Sequence, residues 1–125
     1  LKKNLIKNIK LPVSAPFHCS LMSKATNIMN EELNKLNFTE GKNKLISNVT
    51  AKDILNTDEL KNLLVKQIEN RVRWRESVIN MINSDINHFI EIGPGKVLSG
   101  LIKRISKEVK IDTINNQEDI KGLKI

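Results

Sequence analysis

Tyrosine is absent from these 125 residues, and Phe17, Phe38, Phe89 and Trp74 supply every aromatic ring. Single-stranded nucleic acid is held by rings for stacking set along a basic groove. Scattered lysines with so few rings do not build one, so no nucleic-acid partner is expected. Cysteine occurs once, at Cys19, which excludes an intrachain disulfide and points to a reducing compartment. No apolar run approaches the roughly 18 residues of a membrane span. The basic start "LKKNLIKNIK" is not followed by an apolar signal core, and the first residue is Leu rather than Met. The expectation is a cytoplasmic protein without a membrane partner, read from an incomplete chain.

Lys and Arg number 21 against 14 Asp and Glu, a formal net charge of +7. Such a balance favours an acidic partner or a generally solvated basic surface. Apolar residues, mostly Ile, Leu and Val, make up 39% of the chain, enough for the core of one domain.

The apolar pattern divides the chain. "LMSKATNIMNEELNKL" places Leu21, Met22, Ala25, Ile28, Met29, Leu33 and Leu36 at helical spacing. "KLISNV" has the length of a strand. In "TDELKNLLVKQIEN", Thr57 is the expected N-cap, Asp58 and Glu59 suit the first turn, and Leu60, Leu63, Leu64 and Ile68 form the stripe. Trp74, Val78, Ile79 and Ile82 mark a third helix. "HFIEIG" reads as a strand and "GPGK" as a turn; Val97, Leu98, Leu101, Ile102 and Ile105 outline a helix, and "VKIDTI" is a last strand. Strands alternating with helices predict an α/β layer with parallel strands.

Few residues carry obvious chemistry. In an extended backbone His18 and Cys19 point to opposite faces, so the pair does not read as an activated thiol; a lone cysteine is usually a small packed residue. His18, Cys19 and His88 lack the spacing of metal sites, and no metal is expected. "GPGKV" departs from a phosphate loop because Val97 follows Lys96 where Ser or Thr is required. Glu31, Glu32 and the acids near residue 58 read as solvated charges. His18 is different: Pro12 and Pro16 are expected to hold its segment extended at the edge of a helix, where a histidine either packs or reaches a cleft as a proton acceptor.

The stretches "LPVSAPFHCSLM", "SNVTA", "LVKQIENRVRWRESV" and "EIGPGKVLSGLIKRI", from Leu11 to at least Ile105, resemble in this order the C-terminal part of the malonyl-CoA:acyl carrier protein transacylases. These are acyltransferases of bacterial fatty acid synthesis. The resemblance implies an α/β-hydrolase-like core carrying an inserted, ferredoxin-like small subdomain. Residues 1–10 would end that insert, and residues 11–125 would belong to the large subdomain.

The resemblance also implies ping-pong transfer of malonate from malonyl-CoA to the phosphopantetheine thiol of acyl carrier protein, with no further cofactor. "PFHCSLM" matches the segment of the family's catalytic histidine, making His18 the general base. Gln67, in "VKQIENRV", matches the position whose main-chain carbonyl orients that histidine, so loss of its side chain is expected to cost little. Phe17 corresponds to a position where a large ring favours malonyl over methylmalonyl. Acyl carrier proteins are acidic, which nominates Lys7, Lys10, Lys103 and Arg104 for docking.

No Gly-x-Ser-x-Gly elbow occurs in these residues, and Ser14, Ser20 and Ser23 do not sit in such a turn. By the resemblance, the nucleophile, the oxyanion donors and a carboxylate-binding arginine belong to an N-terminal part. The chain alone is then expected to be inactive. The alternative is a non-catalytic remnant or a module that binds acyl carrier protein.

Overall fold

The computed structural model describes residues 13–123. The proposed end of an insert at residues 1–10, with Lys7 and Lys10, therefore lies outside the described residues. A single 3-10 turn, Ser20–Met22, leads into α1, Ser23–Asn34. There follow α2 (Thr57–Lys66), α3 (Trp74–Asn83), β1 (His88–Ile92), α4 (Val97–Ile105), β2 (Lys110–Ile114) and α5 (Gln117–Lys121).

β1, α4 and β2 form a βαβ unit. The strands run parallel, with Phe89 opposite Ile111 and Ile92 opposite Ile114. The expected α/β arrangement is thus present, as a two-stranded parallel sheet. Parallel strands require a crossover, and the apolar stripe of α4 provides it by packing back on the sheet. Val78 of α3, Phe89 of β1 and Ile102 of α4 make the buried cluster, with Trp74, Met81, Ile82, Ile105, Val109 and Ile111 around it.

The reversal after β1 needs its glycines: Gly93 has φ +136° and Gly95 φ +95°, values that side chains disfavour. Asn115, just past β2, steadies this turn by accepting from the Gly95 N–H at 2.7 Å.

Two expectations change. The run at "KLISNV" is no strand; it contributes one antiparallel bridge, Ile46 to Asp53. Between them the backbone closes a tight loop, with Ala51 N–H donating to Ser47 O at 2.8 Å and Ala51 at φ +59°. The N-cap of α2 is Asn56, not Thr57: its side chain accepts from Glu59 N–H at 2.8 Å, which places Thr57 inside the helix. The helix expected from the spacing at residues 21–36 forms as α1; its stripe is mostly exposed, and among the described elements α1 packs on α2 and the 3-10 turn before it.

Candidate functional site

An α-helix ends with carbonyls that lack partners in the helix. Past the end of α2 the N–H groups of Gln67, Ile68, Glu69 and Asn70 cap carbonyls of the last turn. The carbonyls of the turn over residues 67–70 are left facing outward, and a loop 49 residues away in sequence reaches them. His18 N–H donates to Ile68 O at 3.1 Å. The His18 ring sets Nδ1 at 2.9 Å from Gln67 O and 3.0 Å from Asn70 O. Both oxygens are acceptors, so Nδ1 carries the hydrogen and, in the neutral ring, Nε2 keeps its lone pair. The residue is exposed, and among the described residues no hydrogen bond engages Nε2.

The backbone around His18 is not extended as expected. His18 has φ +62°, a left-handed conformation that costs a non-glycine residue on the order of 1 kcal/mol. Phe17 N–H donates to Ala15 O at 2.9 Å in the bend before it. That turn, rather than an extended run, aims the imidazole at α2. Cys19 is turned elsewhere: its Sγ donates to Pro16 O at 3.1 Å. Phe17, beside His18, is 56% exposed, so its ring does not serve the core of the described residues.

Gln67 is held through its side chain as well. Asn48 Nδ2 donates to Gln67 Oε1 at 3.1 Å, and Arg73 N–H donates to Asn48 O at 2.8 Å. Asn70 Nδ2 in turn donates to Lys66 O at 2.7 Å. Asn48 and the Asn70 carbonyl were not singled out from the sequence. Asn48 sits in a loop whose apolar run has the length of a strand, and a main-chain acceptor leaves no residue-type signal.

A carboxylate organises the other turn. Glu91, at the end of β1, accepts from Leu98 N–H at 3.1 Å and Ser99 N–H at 2.8 Å, covering free N–H groups of α4. Ser99, followed by the backbone N–H groups of Leu98 and Val97, holds the Glu91 carboxyl below the usual glutamate range. The "GPGK" turn is thus occupied by the protein's own carboxylate.

A depressed folded-state pKa means that Glu91 stabilises the fold above its unfolded value and loses that contribution as pH falls through the folded one. Asp112, held low chiefly by the hydrogen bond from His88, acts in the same direction. The melting temperature is expected to fall on acidification through and below the ordinary carboxylate range. Glu91→Gln is expected to flatten that acid limb; an unchanged limb in a thermal-melt series from pH 6 to pH 3 (a range about the ordinary carboxylate values) counts against the capping role.

Among the described residues, no group of three His, Cys, Asp or Glu side chains is placed to hold a metal ion. Nor is any described helix long and apolar enough to cross a membrane.

No model of a known protein family matches the chain. Known proteins do. A malonyl CoA-acyl carrier protein transacylase of Staphylococcus aureus (strain MSSA476) is 40% identical over 112 residues, covering 90% of this chain and 36% of the relative. The crystal structure of a malonyl CoA-acyl carrier protein transacylase from Clostridium perfringens superimposes with a TM-score of 0.85 at 38% identity, over 91% of this chain and 36% of that one. A third match, with a TM-score of 0.83 and 32% identity over 89% of this chain and 36% of that one, is a malonyl-transacylase in complex with its type II PKS acyl-carrier protein. The chain spans about a third of the length of the curated relatives it matches, 36% in the first case.

Proposed function

From a chain whose sequence and fold match a stretch of the malonyl CoA-acyl carrier protein transacylases, we propose a part in malonyl transfer from malonyl-CoA to acyl carrier protein in cytoplasmic fatty acid synthesis. The observation that carries this reading is the His18 ring, with Nδ1 committed to the Gln67 and Asn70 carbonyls and Nε2 open.

In the proposed reaction a serine outside these 125 residues attacks the thioester carbonyl of malonyl-CoA. Nε2 of His18 takes the hydroxyl proton as the C–O bond forms. The intermediate collapses, the C–S bond breaks, and the departing coenzyme A sulfur takes the proton from Nε2. In the second half the phosphopantetheine thiol gives its proton to Nε2 and attacks the malonyl ester; the C–S bond forms, the C–O bond breaks, and the serine oxygen recovers the proton. Gln67 serves throughout by its carbonyl, which keeps the ring in the tautomer that accepts at Nε2.

Phe17 stands next to the base, and its ring is the proposed filter at the substrate α-carbon. A missing or extra methyl group in an apolar pocket is worth roughly tenfold or somewhat more. Phe17→Ala is expected to raise kcat/KM for methylmalonyl-CoA relative to malonyl-CoA by about tenfold. An unchanged ratio removes the filter.

Lys103 and Arg104, exposed in the last turn of α4, are proposed to attract the acidic carrier protein. One of the matched structures is a complex with an acyl-carrier protein, which supports such a partner. The test of the function is transfer of labelled malonate to carrier protein by the full natural protein. Label on the carrier is expected; its absence under conditions where the protein is folded favours the non-catalytic reading.

A further inference from the structure

The carbonyls that face His18 belong to a turn, and turns drift unless something fixes both ends. Here one residue does so. The Asn48 side chain grips Gln67, where the turn begins, and its main-chain oxygen accepts from Arg73 N–H, where the turn ends. The oxygens that receive His18 lie at the first anchor, Gln67, or between the two, at Ile68 and Asn70.

Asn48 is itself well fixed. Its neighbour Ser47 is buried, and Ser47 Oγ accepts from Val49 N–H at 3.1 Å and Thr50 N–H at 3.4 Å. Across the loop, Asn80 Nδ2 on α3 donates to Ala51 O at 2.7 Å, tying the loop to the helix that carries the buried Val78. A rigid loop therefore holds the turn, and the turn holds the ring.

We propose that Asn48 is a positioning residue for His18, acting through the Gln67 side chain on the carbonyls that fix the imidazole tautomer. The proposal rests on the reading of His18 as the base. It also revises the expectation that the Gln67 side chain is dispensable: the carbonyl makes the contact with His18, but the side chain is how Asn48 holds that carbonyl in place.

The experiment uses the full natural protein. Asn48→Ala is expected to lower kcat about tenfold at unchanged KM for malonyl-CoA, because the ring is misdirected while the substrate site is untouched. Gln67→Ala is expected to do the same, and adding Asn48→Ala to it is expected to cost nothing further, since the two act through one contact. Asn48→Asp is expected to keep most of the activity, as the Gln67 amide can rotate and donate to the new carboxylate.

The readout that general destabilisation does not move is the nitrogen NMR spectrum of the His18 ring. Wild type is expected to hold hydrogen on Nδ1, and Asn48→Ala to populate both tautomers. An unchanged tautomer in Asn48→Ala, or a full additional loss of kcat in the Gln67→Ala background, overturns the proposal. Survival of transfer in His18→Ala overturns the catalytic reading instead, and the tautomer measurement still judges Asn48 by itself.

Discussion

Replacing His18 by alanine is expected to lower malonyl transfer by about a thousandfold, within the range seen when a positioned general base is lost. Both half-reactions should suffer, since in the proposed mechanism the same Nε2 accepts the proton of the hydroxyl and later that of the thiol. Malonyl-CoA binding should survive, because the ring contributes a proton site rather than the bulk of the contact surface. Alanine at φ +62° also strains the backbone. Asn tolerates left-handed geometry better, so His18→Asn is the companion variant. Equal losses in both, with melting temperatures near wild type, assign the effect to the imidazole. A loss in alanine alone would place it in the backbone.

The largest effect on stability is expected at Phe89, far in sequence from His18. Its ring lies against Val78, which is fully buried, and Ile102, joining α3, β1 and α4 in one contact. Phe89→Ala removes that shared surface and leaves a cavity, a change that typically costs about 3–5 kcal/mol. The melting temperature should drop by roughly 10 °C or more. Phe89→Leu, closer in volume, should cost less than about 1.5 kcal/mol. Below its melting temperature Phe89→Ala should still transfer malonate, because Gln67, Ile68 and Asn70 are not packed in this cluster, which reaches them only through α3 and the loop at Asn48. A cost under about 1 kcal/mol by urea unfolding would mean that the core lies elsewhere.

Local pattern carried much of this fold. The stripe of α4 and the flanking apolar runs announced the βαβ unit, and the glycines of "GPGK" announced the reversal that Gly93 and Gly95 perform. Where the pattern misled, a side chain competed with the backbone. Ser47 Oγ takes two N–H groups that a strand would have paired across a ladder, and so turns "SNVTA" into a loop. Asn56 captured the start of α2 one residue before Thr57 for the same reason, a short acceptor within reach of a free N–H.

The site was legible only through resemblance. Composition and spacing left His18 between a packed residue and a proton acceptor, and what separates those readings is a contact across 49 residues of sequence to a main-chain oxygen. No periodicity encodes such a contact. Asn48 was out of reach for a related reason. It works by tying Gln67 to Arg73, and that role exists only once the turn is formed.

The central claim is that these residues supply the base while the acyl group is carried by a serine outside them. It is tested most directly by mixing the full natural protein with malonyl-CoA, omitting carrier protein, and locating the covalent malonyl group by mass spectrometry of its peptides. The account predicts one malonyl group on a serine outside these 125 residues, formed in wild type and nearly absent in His18→Ala. Malonate on Ser14, Ser20, Ser23 or Cys19, or full labelling without His18, would contradict it.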